Sequence, residues 1–312
     1  MQKAFYSPAY IWNTAGHSMT PLGPTILMKL NIVHHSLYTY DRTVQLNPHT
    51  LFLKPLQRDN IKLLSYDIEV TPTPLGINER FSLEGNPYFQ VWFTGFTKKL
   101  EIMVNMELEV GSFNPFGFLI DVDFIKQINS ANLPVFHYQE EERVLLTPYL
   151  KFEENIELAD FAKKHLKDTN PLSFLMSLAG DIHINWDHII RMEEDVWSPE
   201  YTFQIKKGSC RDLSWMMIQL LRSVGLAARY VSGYAFNPEL DEGNELHAWV
   251  EAYIPGAGWV GVDPNLGLLT DEHYIPLACS NHPSRTLPVH GTVGGDEPST
   301  STLDAKVTIS IV

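Results

Sequence analysis

The chain has 312 residues, of which 44% are hydrophobic and 19% charged, and a formal net charge of −14. Those figures describe a globular protein with room for two domains and a substantial core. The acidity argues against nucleic acid and anionic membrane surfaces as partners, because both require a basic footprint, and no apolar run reaches transmembrane length. Two cysteines cannot build a disulfide framework, so a reducing, cytoplasmic location is expected.

Residues 1–28 scatter Pro, Gly and aromatic residues with no basic segment leading into an apolar one, so they do not read as a signal peptide. They are expected to form a poorly structured extension, with Met28 as an alternative start. From 29 to 112 the pattern is that of β-structure. Short alternating or apolar runs at Asn31–Tyr40, Thr50–Pro55, Lys62–Thr71, Asn78–Leu83, Tyr88–Phe93 and Lys99–Val110 are separated by turn signals. Strands without intervening helices predict a β-sandwich-like domain. A Pro-punctuated connection follows at 113–150. Apolar spacing then predicts helices at Ile156–Leu166, Leu172–Asn185 and near Glu200–Ile205. Strands are expected at Ala227–Tyr234, Leu246–Ile254 and Gly258–Val262. Residues 276–303 are rich in Pro, Gly and Ser, and the strand Ala305–Val312 after them is expected to pair back onto a sheet.

Cys210 carries the chemistry. Gly208-Ser209 breaks the preceding segment, Leu213, Met216 or Met217, Leu220, Leu221 and Val224 repeat at helical spacing, and Gly225 supplies the stop. A thiol on the first turn of a helix feels the positive end of the dipole and unbonded N–H groups, which lower its pKa and make a thiolate available near neutrality. A cysteine nucleophile needs a base, and the base an orienting group. The segments Leu246-His247-Ala248-Trp249-Val250-Glu251 and Gly258-Trp259-Val260-Gly261-Val262-Asp263-Pro264 flank the tight turn Pro255-Gly256-Ala257-Gly258, so they predict a hairpin with His247 beside Asp263. Cys279 has no such partners and reads as an inert buried thiol. His183 and His188, with Asp181 and Asp187, fit no strong metal-ligand spacing. Arg229 is expected in an ion pair with Asp212 or another core carboxylate, Trp186 and Trp259 in the core, and Glu140-Glu141-Glu142 on the solvated surface.

The runs Lys207-Gly208-Ser209-Cys210-Arg211-Asp212-Leu213, Leu221 to Tyr234, His247-Ala248-Trp249-Val250-Glu251 and Gly258 to Pro264 resemble the core of the transglutaminase-like superfamily. His35 to Tyr40, Leu53-Lys54-Pro55 and Gly85-Asn86 resemble the N-terminal region of its bacterial, cysteine-protease-like branch. The resemblance implies an α+β fold: an N-terminal β-sandwich-like domain at 29–112, then a transglutaminase-like (papain-like) catalytic domain at 113–312 with helices packed on an antiparallel sheet. It implies a catalytic triad of Cys210, His247 and Asp263, no cofactor, and a peptide or protein amide as substrate. Gln204, six residues before the cysteine, is a candidate oxyanion donor by the papain-like separation. Arg211 and the segment Ala278 to Pro283 depart from the family pattern at positions that bear on substrate choice. The expected activity is that of a peptidase or amidase acting through a thioester, with no EF-hand calcium loop in the chain. The alternatives are a protein-glutamine transglutaminase, a non-catalytic binding module on the same fold, and a zinc site.

Overall fold

A computed structural model describes residues 11–12, 19–20, 27–127, 135–166, 170–191, 193, 195–237, 245–295 and 297–312. Of the expected N-terminal extension it describes the antiparallel pair Ile11–Trp12 with Met19–Thr20, and the first long strand begins at Leu27; the rest of 1–26 lies outside the described residues.

The N-terminal unit is built on strict two-residue periodicity. In the strand Thr97–Gly111, Leu100, Ile102, Val104, Met106, Leu108 and Val110 are buried in alternation, because successive side chains leave a strand on opposite faces. Its neighbours are Ile61–Thr71 on one side and Leu27–Leu46 on the other. A smaller sheet of Val289–His290, His49–Leu51, Pro87–Trp92 and Gly76–Phe81 contributes Leu51, Phe89 and Val91 to the same core. The six strands expected from sequence are all present. The C-terminal strand, Ser301–Ile311, pairs antiparallel with Leu27–Leu46 over Ser301↔Tyr40 to Ile311↔Leu30, so it completes the sheet of the N-terminal unit rather than the sheet that carries His247.

The second unit places helices against a five-stranded antiparallel sheet, in the order Leu268–Leu269, Gly258–Asp263, Glu245–Ile254, Ala228–Ala235, Tyr274–Ser280. The helix Cys210–Ser223 is buried along most of its length. Met216, Met217, Leu220 and Leu221 join Ala228, Tyr230, Val250 and Ala252 in one core. The α+β architecture expected from sequence is the one observed.

The strand Tyr274–Ser280 adds to the sequence reading, which names no strand between Val262 and Ala305. Pro276 lies where the ladder to Ala228–Ala235 shifts register, between Ser232 and Gly233. Proline is tolerated at an irregularity on an edge strand. On the neighbouring strand Tyr230 packs into the helical core and Tyr234 into the core of the N-terminal unit. Gly233 must be glycine, since a Cβ there would stand 2.3 Å from the Ile275 carbonyl oxygen and 2.6 Å from the Trp249 ring.

The two units are joined by polar contacts at both ends of this sheet. Asn86 donates its amide to the Cys279 carbonyl (2.8 Å) and accepts from the Cys279 N–H (3.0 Å). Arg58 reaches Glu251 at 2.8 Å, which also holds Arg229 at 2.7 Å. Arg229 therefore has a core carboxylate, and that carboxylate is Glu251 rather than Asp212. His34, fully buried, is hydrogen-bonded through Nδ1 to the Tyr234 hydroxyl (2.9 Å) and through Nε2 to Ser36 (2.8 Å).

Burial, with a smaller contribution from neighbouring His35, lowers the His34 pKa to about 4. The unfolded chain takes up a proton near the ordinary histidine value of about 6.5, while the folded chain resists it down to about 4. Stability from this group is thus intact above pH 6.5 and falls as the pH drops toward 4, by up to about 3 kcal/mol. Urea unfolding at pH 7 and pH 4.5 will show a smaller acid loss in His34→Gln than in the wild type; equal losses would refute the assignment.

Candidate active site

The approach to Cys210 is built from the backbone outward. The short helix Pro199–Ile205, capped by the Ser198 hydroxyl accepting from the Tyr201 N–H, ends at Lys206 in the left-handed conformation (φ 56°). Lys207–Gly208 then pairs in parallel with Asp187–His188. Gly208 is in contact with the following helix: a Cβ there would lie 2.9 Å from the Asp212 Cβ. Ser209 caps the helix in extended conformation, and the first intrahelical bond runs from the Leu213 N–H to the Ser209 carbonyl (3.0 Å). Cys210 therefore occupies the first helical position, half-buried, as its sequence context predicts.

Asp212 locks this arrangement. Its side chain has no solvent exposure. Its carboxylate accepts from the Ser209 N–H (2.9 Å), the Ser209 hydroxyl (2.7 Å), the Trp197 N–H (2.8 Å) and Arg191 Nη1 (2.9 and 3.1 Å). Arg191 in turn stacks on the Trp197 ring at 4.0 Å and reaches Asp195 at 2.6 Å. Arg211 donates from Nη2 to the Arg191 carbonyl at 3.0 Å. A buried carboxylate with this many donors holds the loop before the cysteine and the helix start in one geometry.

The predicted hairpin is also present, with Val250 opposite Val262 and Ile254 opposite Gly258. Continuing that register sets Asp263 against Trp249, so His247 meets Asp263 on the diagonal. His247 Nε2 and Asp263 Oδ2 are 2.8 Å apart, both side chains being almost wholly buried. Asp263 Oδ2 also accepts from the Tyr274 hydroxyl (2.8 Å), and Oδ1 accepts from the Asn265 N–H (2.8 Å). Burial and the Asp263 charge raise the Tyr274 pKa, so its hydroxyl remains a donor. Tyr274 was missed by sequence reasoning; it sits on the strand Tyr274–Ser280, for which no expectation was stated.

Cys210, His247 and Tyr230 line one cavity of about 440 Å³ between the helical core, the N-terminal unit and the strand Ser301–Ile311. Burial raises the Tyr230 pKa well above its ordinary value, and the charge of nearby Cys210 adds to the effect. Gln204 is not brought to this cavity: it lies exposed on its short helix with Nε2 turned to Glu200 (3.5 Å). The spacing borrowed from papain-like enzymes assumes a path between the two residues that Lys206 does not follow here.

His183 Nδ1 lies 2.7 Å from the Asn265 carbonyl, His188 lines the cavity, and the described residues hold no group of three or more His, Cys, Asp or Glu able to bind a metal. Trp186 is buried with its indole N–H on the Thr202 carbonyl (3.1 Å), and Trp259 lies under Arg229 at 4.1 Å. Cys279 is buried beside Asn86, and burial pushes its thiol up to about 11.

A helix start bearing a thiol, packed on an antiparallel sheet whose hairpin bears a paired His and Asp, defines a transglutaminase-like core. A model of the transglutaminase-like superfamily matches residues 160–264, and one of the bacterial transglutaminase-like N-terminal region matches residues 30–109. Residues 160–264 thus carry a transglutaminase-like core, and residues 30–109 the N-terminal region that accompanies it in bacterial members. The crystal structure of a candidate cysteine protease from Cytophaga hutchinsonii has the same fold, with a TM-score of 0.69 over 92% of this chain and 91% of that one, at 20% identity. The protein YebA of Bacillus subtilis is 36% identical over 97 residues, 28% of this chain and 13% of that protein. A protein-glutamine gamma-glutamyltransferase of Pseudomonas aeruginosa is 36% identical over 72 residues, 21% of this chain and 11% of that protein. The chain thus matches a minor part of these curated relatives' length.

Removing the cation opposite a buried carboxylate leaves an uncompensated charge, at a cost of about 3–5 kcal/mol. Arg191→Met is therefore expected to lower the urea midpoint strongly, while Arg191→Lys restores part of the loss; two midpoints equal to wild type would show that Asp212 is held by its backbone donors alone.

Proposed function

We propose that this protein is a cysteine peptidase or amidase working through Cys210, His247 and Asp263. The observation that carries this reading is the His247–Asp263 pair, 2.8 Å apart and buried, in the wall of the cavity that also exposes Cys210 at a helix start. With Nε2 committed to Asp263, Nδ1 is the ring nitrogen that exchanges protons with the reacting groups. The helix dipole and an adjacent imidazolium favour the thiolate.

The thiolate attacks the amide carbonyl carbon, and the C–S bond forms as the carbonyl electrons move to oxygen. The Cys210 N–H, at the first position of the helix, is one donor for that oxyanion. The Tyr230 hydroxyl, held neutral by burial in the same cavity, is a second candidate. His247 gives its proton to the amide nitrogen, the C–N bond breaks and an amine departs, leaving a thioester. His247 then takes a proton from water, the resulting hydroxide attacks the thioester carbon, and the C–S bond breaks to restore the thiolate. Asp263 fixes the tautomer and stabilises the imidazolium without taking its proton, and Tyr274 holds Asp263 in place.

Hydrolysis is favoured over amine transfer by charge. The described residues of the cavity wall include Arg211 and Lys306, neither in an ion pair with a described residue, and no carboxylate, and a lysine ammonium approaching as acceptor meets like charge. Transfer to an amine is the second reading, supported by the named activity of the Pseudomonas aeruginosa relative over the matched segment.

Iodoacetamide at pH 6 will alkylate Cys210 much faster than the buried, high-pKa Cys279; equally slow labelling of both would count against an activated thiol. Cys210→Ala is expected to abolish turnover of a peptide library read by mass spectrometry, and Asp263→Asn to lower it by about 10⁴-fold if the tautomer is lost. Including a primary amine in the same incubation separates cleavage from transfer: amine adducts in place of free carboxylates would overturn hydrolysis.

A further inference from the structure

The charge of the cavity is opposite to that of the protein. The chain carries a net charge of −14, yet every charged residue among the described residues that line the cavity is basic: Arg191, Arg211 and Lys306, with His188 beside them. Arg191 is already neutralised, being only 6% exposed and bound to Asp212 and Asp195. The other two are not. Arg211, half-buried and adjacent to the nucleophile, spends one nitrogen on the Arg191 carbonyl. It forms no ion pair with a described residue, and neither does Lys306, which is exposed on the strand Ser301–Ile311 opposite His35. The rest of the wall is largely apolar and includes Leu303 and Val307 from the same strand. Cationic groups set in apolar walls focus the field on whatever enters between them.

From this we infer that Arg211 and Lys306 are specificity-determining residues that select peptide substrates with a carboxylate, an Asp or Glu side chain or a terminal carboxylate, within a residue or two of the scissile amide. The inference rests on the amide-cleaving reading above and names its substrate class. Arg211 stands next to Cys210 in the chain and so lies within reach of a group beside the attacked carbonyl. Lys306 stands exposed at the rim of the cavity, on the strand Ser301–Ile311, and adds to the field that an acidic peptide meets on entering. Neither residue takes part in proton transfer or bond making. An acidic protein gains from this arrangement: its overall field repels acidic chains in general, so those that bind are the ones whose carboxylate reaches the cleft.

The test uses three synthetic peptide mixtures that differ only in the residue flanking a central amide, which is Glu, Gln or Lys. Wild-type kcat/KM is expected to fall by about tenfold from Glu to Gln and further to Lys, and the spread to shrink in about 0.5 M salt. Arg211→Gln narrows the Glu preference, and Lys306→Glu narrows it or turns it toward Lys. Lys306 lies on the surface, so that variant carries the test if circular dichroism shows Arg211→Gln unfolded. Equal rates on the Glu and Lys peptides, or an unchanged preference in Lys306→Glu, would overturn the assignment while leaving cleavage itself intact. If no peptide is turned over, the amide-cleaving reading fails separately. Fluorescence anisotropy with the Cys210→Ala protein then decides the charge preference directly: tighter binding of the Glu peptide supports it and equal binding overturns it.

Discussion

Everything at the site depends on one buried carboxylate. Asp212 gathers the Ser209 backbone and hydroxyl, the Trp197 amide and the Arg191 guanidinium around itself, and in doing so fixes where the helix starts and therefore where the thiol sits. An ion pair of this kind contributes little net stability over an apolar replacement. What it supplies is geometry: a loop, a helix start and a stacked Arg–Trp pair that cannot shift independently. Arg211 is tied to the same unit through the Arg191 carbonyl, so the residue that follows Cys210 is positioned by the network that positions Cys210 itself.

The hairpin repeats this logic on the other side of the cleft. Asp263 is fully buried, and its two oxygens are divided among His247, Tyr274 and the Asn265 amide. Tyr274 belongs to the edge strand that also docks the N-terminal unit through Cys279 and Asn86. Asp263 is therefore supported by the same strand that holds the two halves together. That links the β-sandwich to the chemistry, even though none of its residues is assigned a step in the reaction.

Much of this was legible in the sequence for simple reasons. Two-residue alternation at 97–111 and helical spacing at 210–224 are local signals. Gly208-Ser209 marks a helix start whatever lies around it, and a tight turn between two alternating runs forces a hairpin. The features that escaped depend on contacts between distant residues. Arg191 lies in an irregular loop with nothing to tie it to Asp212. Tyr274 escaped because the strand that carries it is irregular at Pro276 and is defined by its pairing with the distant Ala228–Ala235. Gln204 was placed by a spacing that holds only if the chain runs straight from it to the cysteine, and Lys206, in the left-handed region, turns it.

The strand Ser301–Ile311 lies beside Leu27–Leu46, more than 250 positions earlier in the chain, and walls the cavity with Lys306. Pairings of such sequence separation form late, because the closure entropy of the loop must be met before they contribute anything. During synthesis Cys210, His247 and Asp263 all leave the ribosome before this wall exists. A growing chain can therefore fold the helix and hairpin that carry them while the cleft still lacks one side, and Lys306 arrives with the strand that closes it.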